Sequence, residues 1–399
     1  MLLTPVWGRD GGVATHVKAS AAALARHGLE VHVLAAHVYP SEPIAGVTVH
    51  ERPGLLKRGT RAAARLGGST RPRAAVVHLH QLDDPAVVKL TSRSAPVVIS
   101  AHTYPGCTSG VHYFAPGQEC ARAHGPGCIP NLLARGCAHT RHPKTLPLKY
   151  WNVTRGLAAL RLADMVVSHS RTIDRHLASN GLARRAIVPL FPTIPMPAGS
   201  PAPAARRVLF AGRLEAPKGV AVLIHAVREL DCELVICGGG RLLEQLRGLT
   251  ARLAIEDRVR FAGWLEPPEL AGELAQASVV AIPSLWPEPF GLVGIEALAV
   301  GRPVVASATG GIRDWLADDV GVGVKPGDAR ELALALERLL SDRDGQLAMG
   351  AAGKRLVASR FSAERHVETL LGAYHAARSR WSAARAPGAT AARPTTSAG

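Results

Sequence analysis

Residues 208–230 read VLFAGRLEAPKGVAVLIHAVREL, and the order of their features indicates the fold class. The apolar run 208–211 has the length of a buried strand, residues 212–219 predict a loop, and residues 220–230 are typical of a helix. A strand that enters a helix through a glycine-containing loop is the βα unit of a doubly wound parallel sheet. Arg213 and Lys218 lie in the loop, where cations are unfavourable beside a helix N-terminus unless an anion binds there. The stretch therefore predicts an α/β fold with an anion site beyond the carboxyl end of a strand.

The same alternation of short apolar runs and longer helical patterns recurs through both halves of the 399-residue chain. The predicted strands are 2–6, 31–35, 75–79, 97–101 and 165–168, and then 208–211, 233–237, 259–262, 279–282 and 304–306. Residues 189–206 contain six prolines, a density that excludes a helix or a central strand. We therefore predict an N-terminal domain over 1–188, a linker over 189–206 and a C-terminal domain over 207–360.

Helical patterns follow the last predicted strand at 329–340 and 344–358. Ser362 is a candidate N-cap for a final helix over 361–381, which we expect to cross back to the N-terminal domain. Residues 382–399 are rich in Ala, Pro, Thr, Ser and Gly without an apolar period, which predicts a disordered tail.

The charge balance is strongly basic, with 47 Lys and Arg against 31 Asp and Glu and a formal net charge of +16. Polyanions such as nucleic acid, anionic lipid or a phosphorylated substrate are therefore candidate partners. Aromatic residues make up 4% of the chain, too few for the base stacking typical of nucleic-acid binding. No apolar run is long enough to span a membrane and the start does not resemble a signal peptide, so we expect a cytoplasmic protein without a nucleic-acid partner.

Residues 287–296, PEPFGLVGIE, place two carboxylates around the start of a predicted helix. Glu288 lies between two prolines, which fixes its backbone and keeps it on the approach loop. Glu296 lies within the helix beside Ile295, Ala297 and Leu298, where a buried carboxylate without a partner would be costly. The hydroxyl groups of a sugar would provide such a partner.

Near the N-terminus, residues 5–12 read PVWGRDGG and precede a helical pattern over 13–27. Gly11 and Gly12 are equally consistent with a phosphate site at a βα turn and with glycines needed for steric reasons alone. His102 follows the predicted strand 97–101 and, taken by itself, is more typical of a structural residue than of a ligand-binding one.

These blocks together resemble family 4 retaining glycosyltransferases, also called glycosyl transferases group 1. The resemblance is carried by Gly212-Arg213 with Lys218-Gly219, by the Glu-x7-Glu segment from Glu288 to Glu296, and by residues 303–306 and 310–311. The N-terminal glycine loop, His102 and the last helix fit less specifically. The resemblance implies the GT-B architecture, two Rossmann-like domains facing each other across a cleft, with an activated sugar donor held mainly by the second.

The resemblance also implies roles for individual residues. Those expected to be catalytic are His102, Arg213, Lys218 and Glu288. Those expected to bind the nucleotide-diphosphate sugar are Gly11, Gly12, Gly238, Gly239, Leu265, Phe290, Gly291, Leu292 and Glu296. Glu288 would contact the donor sugar and Glu296 the ribose, while Arg213, Lys218 and the helix start would stabilise the departing diphosphate. The acceptor stays open between a glycan, a lipid-linked molecule and a small molecule.

Metal ligands are not evident at the predicted donor site. Asp342-Arg343-Asp344 is an Asp-x-Asp pair, but its position between two late helices favours turn and capping chemistry, so we expect no metal or other cofactor there. Cys107, Cys120, Cys128 and Cys137 lie within 31 residues, without a Cys-x2-Cys pair. A structural zinc, two disulfides and independent thiols all remain open.

Two other functions remain as alternatives: a nucleotide-sugar epimerase on the same fold, and a basic protein that binds membrane surfaces or nucleic acid. Residues 55–73 contain Leu55, Leu66, Arg58, Arg61 and Arg65 at spacings that would give a basic amphipathic helix, although Gly59, Gly67 and Gly68 disfavour one. This segment predicts a weak peripheral contact with the inner face of a membrane.

Overall fold

The computed structural model describes residues 1–8, 11–53, 74–107, 113–115, 118–134, 137, 146–196 and 206–386. Two parallel sheets organise this part of the chain. The first has the order β3-β2-β1-β4-β5-β8-β9, and the second has the order β12-β11-β10-β13-β14-β15. In each sheet the order reverses beside the first strand, between β1 and β4 and between β10 and β13, which is where doubly wound folds bind ligands.

The first domain contains the first sheet, a small hairpin of β6 and β7, and the helices that connect the strands. Its strands are β1 (Leu2–Trp7), β2 (Val31–Val38), β3 (Val47–Glu51), β4 (Val77–His80), β5 (Val97–Ala101), β6 (Tyr113–Ala115), β7 (Gln118–Glu119), β8 (Met165–Ser168) and β9 (Arg185–Ile187). Its helices are α1 (Gly12–Arg26), α2 (Pro85–Thr91), α3 (Cys128–Ala134), α4 (Leu146–Leu162) and α5 (Arg171–Ser179).

The second domain contains the second sheet and the remaining helices. Its strands are β10 (Arg207–Ala211), β11 (Glu233–Cys237), β12 (Val259–Gly263), β13 (Val279–Ile282), β14 (Val304–Ser307) and β15 (Gly321–Val324). Its helices are α6 (Val220–Val227), α7 (Leu243–Arg252), α8 (Pro267–Gln276), α9 (Leu292–Ala299), α10 (Ala329–Ser341) and α11 (Arg343–Arg360), and α12 (Ala363–Ala383) follows them. Asp342 caps α11 by accepting a hydrogen bond from the Gly345 amide, which confirms its predicted capping role.

The ten predicted strands are all present, and five strands were missed. Of these, β3, β9 and β15 lie at sheet edges, and β6 and β7 form the small hairpin. The prediction relied on continuous apolar runs, which are typical of strands covered on both faces. The sequences VTVHE, RAI and GVGV of the missed edge strands contain no such run.

Helix α12 packs against the first domain although it follows the second along the chain. His366 and Tyr374 of α12 form hydrogen bonds with Ser20 and His78 of the first domain, at 3.1 and 2.8 Å. Val367 and Leu370 join a core cluster of the first domain. The linker expectation covers residues 189–196, which are neither helix nor strand, and residues 197–205, which lie outside the described residues.

A second contact between the domains lies beside the predicted catalytic loop. Trp286, which follows β13, packs into the core of the first domain, where its ring lies 6.5 Å from that of Tyr104. The Tyr104 hydroxyl donates to the carbonyl oxygen of Pro287 at 2.8 Å. Both contacts hold the loop that carries Glu288 against the first domain.

The basic segment 55–73 lies outside the described residues. Of the predicted tail 382–399, residues 382 and 383 belong to α12, so the tail was predicted to begin too early, and residues 387–399 lie outside the described residues. Within the described ranges, the structure has no helix with the length and apolar character needed to cross a membrane.

Candidate active site

The carboxyl ends of β10 and β13 bring together two side chains that sequence analysis predicted to be catalytic. Lys218 ends the 3₁₀ turn Ala216–Lys218, and its Nζ donates to Oε1 of Glu288 at 2.6 Å. Gly219 makes this approach possible, because its φ is +70° and a Cβ there would collide with the carbonyl oxygen of Pro283. The two loops therefore pack backbone against backbone and place the ammonium on the carboxylate.

Glu288 is ionised at neutral pH although its side chain is buried. Burial alone would raise the pKa of Glu288, but the Lys218 ammonium and hydrogen bonds from Lys218 and Ser284 hold that pKa below its usual value. The Ser284 hydroxyl donates to Oε1 at 2.7 Å. The site thus holds a negative charge away from solvent, where the low dielectric constant strengthens its interaction with any positive charge that develops nearby.

Glu296 has a partner within the protein. Its Oε1 accepts hydrogen bonds from the Thr193 hydroxyl at 2.8 Å and from the Thr193 amide at 3.2 Å. Burial raises the pKa of Glu296 to about 7, and these two hydrogen bonds oppose that rise. Sequence analysis assigned the missing partner to a ligand, whereas the structure provides Thr193 from the segment between the two sheets.

A cavity of about 190 Å³ lies between the domains next to Glu296. Its wall includes residues from both domains, as the resemblance implied for a cleft. From the first domain come Gly11, Gly12 and Thr15, and from the second come Ala211, Gly212, Cys237, Gly238, Trp264, Leu265, Pro267, Leu270, Leu292, Val293 and Glu296, with Thr193 and Ile194 between them. Six of the predicted donor-binding residues therefore share one cavity.

Close backbone packing shapes this cavity at Gly238. Its φ is +132°, and a Cβ there would collide with the carbonyl oxygen of Gly212. The loops after β10 and β11 thus touch without side chains between them, which leaves their main chains accessible to a ligand.

Other predicted site residues lie outside the cavity wall. The Arg213 side chain is 62% exposed and pairs with Glu215 at 3.2 Å. The ring of Phe290 is buried against Phe361, and the Phe290 carbonyl accepts a hydrogen bond from Trp315 at 2.7 Å. Gly291 precedes α9 with a φ of +80°, while the carbonyl of Gly239 accepts a hydrogen bond from the Leu214 amide. Lys218 pairs with Glu288, whereas Arg213 pairs with Glu215.

His102 belongs to a histidine cluster, a group of six imidazoles at the centre of the first domain. Its members are His16, His78, His80, His102, His169 and His366. Nε2 of His102 is hydrogen-bonded to Nδ1 of His80 at 3.0 Å, and its ring lies 4.9 Å from that of His169. Burial, followed by repulsion from the other imidazoles, lowers the pKa of His102 well below its usual value, so its ring is neutral at pH 7.

The four cysteines at 107, 120, 128 and 137 form no disulfide and are partly exposed. Burial and the nearby Cys120, Cys107 and Cys128 raise the pKa of Cys137 to about 11. No three His, Cys, Asp or Glu side chains within the described ranges are arranged to hold a metal ion. The disulfide alternative is therefore not observed, and a structural zinc and independent thiols stay as the predictions from the sequence.

Sequence analysis missed Thr15 and Thr193, which both line the cavity. Thr193 lies in the proline-rich segment, where no pattern distinguishes a ligand-facing residue from a linker residue. Trp264, which also lines the cavity, lies within residues 263–265, which the resemblance implied to lie beside the base.

Comparison with known proteins was made in sequence and in structure. Residues 10–191 match the family described as Glycosyltransferase Family 4, and residues 200–356 match Glycosyl transferases group 1. A D-inositol 3-phosphate glycosyltransferase from Xylanimonas cellulosilytica is 41% identical over 174 residues, which cover 42% of this chain and 41% of that protein. The chain thus spans about two fifths of the length of the curated relatives it matches.

Two solved structures extend the similarity over nearly the whole chain. Sucrose-phosphate synthase from Thermosynechococcus elongatus aligns with a TM-score of 0.69 and 21% identity, covering 94% of this chain and 97% of that one. Anabaena Alr3699/HepE in complex with UDP and glucose aligns with a TM-score of 0.65 and 18% identity, covering 93% and 98%. At these identities the likeness concerns the fold alone.

Two Rossmann-like domains, each built on a parallel sheet, with a cavity between them are the features that define the GT-B fold. The two family matches, which together extend from residue 10 to residue 356, identify the group within that class. The chain belongs to glycosyltransferase family 4.

Proposed function

We propose that this protein is a retaining glycosyltransferase that moves a sugar from a nucleotide-diphosphate sugar to an acceptor without a metal ion. The observation that carries the proposal is the buried ion pair of Lys218 and Glu288, which lies at the switch point of the second sheet. Burying an ionised carboxylate costs desolvation free energy, which partners of opposite charge and hydrogen bonds only partly offset. Buried ion pairs of this kind are therefore often found at functional sites.

The departing diphosphate gains negative charge when its bond to the sugar breaks, and this chain offers donors for that charge. One N–H of the Lys218 ammonium donates to Glu288, and an ammonium carries three such donors. The first-turn amides of α9 add further N–H groups that have no partner within the helix. Arg213 would move from Glu215 to the diphosphate when the donor binds.

Glu288 would act on the other side of the breaking bond. Its carboxylate would bind sugar hydroxyl groups and stabilise the positive charge that develops on the ring. His102 is neutral and bonded through Nε2 to His80, so it would offer Nδ1 to the sugar from the first domain.

Glu296 and the cavity wall would hold the nucleoside. The Glu296 carboxyl would bind the ribose while retaining Thr193, and Trp264 with Leu265 would cover the base. Alr3699/HepE is in complex with UDP and glucose, which supports a uridine donor as the first choice to test. The acceptor remains one of the three classes named above.

One experiment tests the whole proposal. The purified protein is incubated with nucleotide-sugars, candidate acceptors and excess chelator, and the product is analysed by NMR. We expect an acceptor-dependent product that keeps the anomeric configuration of the donor. Inversion would contradict the retaining chemistry, a metal requirement would contradict the metal-free site, and conversion of the donor without acceptor would favour the epimerase.

We expect Glu296→Ala to weaken UDP binding about tenfold, because a charged hydrogen bond to the ribose is lost. The measurement is thermal shift against UDP concentration, where a ligand at a hundred times its Kd adds about 2.7 kcal/mol to stability. Glu244→Ala, which removes an exposed ion pair with Arg247 in the same domain, is the matched control. Equal UDP affinities for Glu296→Ala and wild type would exclude Glu296 from the nucleoside site.

A further inference from the structure

The side chain of Glu119, a residue of the first domain, contacts the second domain, and one of its carboxylate oxygens accepts three hydrogen bonds. Glu119 ends the hairpin of β6 and β7, and its Oε1 accepts from the Thr309 hydroxyl at 3.0 Å, the Gly310 amide at 3.1 Å and Nη1 of Arg313 at 2.8 Å. These donors surround the 3₁₀ turn Gly310–Asp314, which follows β14. The segment that contains the cysteines is thus attached to the opposite domain at a defined point.

The charge of Glu119 suits this contact. Burial alone would raise the pKa of Glu119, but the Gly310 amide and the Arg313 guanidinium hold it below its usual value. The carboxylate is therefore ionised at neutral pH, and its contact with Arg313 is an ion pair at 2.8 Å. Hydrogen bonds to an ionised acceptor are stronger than neutral ones.

The turn held by Glu119 is packed directly on the main chain of Glu288. The Gly311 amide donates to the Glu288 carbonyl at 2.7 Å. Gly310 has a φ of +58°, and a Cβ on it would collide with the Glu288 backbone. A Cβ on Gly311 would collide with the carbonyl oxygen of Pro289 in the same way. The turn therefore cannot move without moving Glu288.

We propose that Glu119 is a positioning residue for Glu288, acting through the turn Gly310–Asp314, and that the same contact holds the two domains together across the cleft. The catalytic part of this inference rests on the proposed function. The chain of contacts runs from Glu119 to Gly310 and Gly311 and then to Glu288, and none of these four residues lines the nucleoside cavity.

The first measurement is independent of activity. Hydrogen exchange of the peptide 305–316 is compared between wild type, Glu119→Ala, Glu119→Gln and the control Glu42→Gln, which alters an exposed glutamate of the first domain. We expect exchange to be about tenfold faster in Glu119→Ala, because the Gly310 amide loses its acceptor. Exchange equal to that of wild type in Glu119→Ala would overturn the proposal.

The second measurement separates positioning from general structure. With a donor that wild type uses, Glu119→Ala should lower kcat about tenfold while UDP affinity stays within twofold, since the UDP cavity is formed by other residues. Arg313→Gln should act in the same direction, and the double variant should lose no more than the larger single loss. Equal losses in kcat and UDP affinity, or additive losses, would contradict the proposal. If wild type uses no donor, the proposed function fails while the exchange result still decides whether Glu119 holds the turn.

Discussion

Glu288→Gln is expected to lower sugar transfer by on the order of 100-fold or more while the protein stays folded. Glutamine keeps the size of the side chain and can still accept from Lys218 and Ser284, so the main change is the loss of a negative charge. Lys218→Ala should lower sugar transfer to a similar extent, because the ammonium that would stabilise the negative charge of the departing diphosphate is removed. Initial rates at saturating donor, with thermal unfolding as a check of the fold, provide the measurement.

The matched control for this charge is Glu244→Gln, which removes an exposed ion pair with Arg247 in the same domain. This variant should keep wild-type turnover because an exposed ion pair contributes little to stability. Turnover near that of wild type in either Glu288→Gln or Lys218→Ala would rule out the assigned chemistry.

Acidification below pH 6.5 is expected to destabilise and then unfold the first domain. Burial lowers the pKa of all six members of the histidine cluster, to about 4 for His169 and His366, and repulsion between imidazoles adds to this effect for every member except His169. The unfolded chain binds these protons near the ordinary histidine pKa of 6.5, so stability is complete above that pH and is lost as the pH falls below it.

The size of this effect follows from the number of histidines that titrate together. Each histidine lowers the free energy of unfolding by about 1.4 kcal/mol per pH unit below 6.5, and six together lower it by ~8 kcal/mol per unit. The whole free energy of unfolding of a typical domain is roughly 5 to 15 kcal/mol. Urea unfolding at several pH values measures the slope. His16→Leu should reduce it by about one proton, because this ring is buried, whereas exposed His375→Gln should leave it unchanged. Stability that does not change between pH 7 and pH 5 would show that the cluster is already protonated or accessible in the native state.

The histidine cluster also shows where sequence analysis reached its limit. His102 was identified because it follows a strand, but the five other imidazoles come from α1, β4, the end of β8 and α12, up to 350 positions apart along the chain. No local pattern indicates that these residues meet. The same reason explains Thr193, whose contact with Glu296 depends on how the linker crosses the cleft.

Local sequence patterns predicted the structure better at positions where proline or glycine determines the backbone conformation. The prolines around Glu288 fix its backbone, and the glycine after Lys218 allows the positive φ at which the two loops pack together, so both loops could be recognised from residue type. Arg213 has no such constraint on its backbone, and its long side chain pairs with Glu215. The central strands and the edge strand β12 were predicted from their apolar runs, whereas β3, β9 and β15 contain no such run and were missed.

The chain passes between the domains twice, and the two passages run side by side. The first contributes Val188 and Phe191 to the core of the first domain, and Leu190 and Ile194 to the core of the second. The second passes from Phe361 in the core of the second domain to Val367 in that of the first, and Nδ1 of His366 meets the carbonyl oxygen of Pro189 at 2.7 Å. A single connecting segment would leave the relative orientation of the domains unrestricted, whereas two segments joined by a hydrogen bond restrict it. It follows that any rotation of one domain against the other would have its axis close to Pro189 and His366.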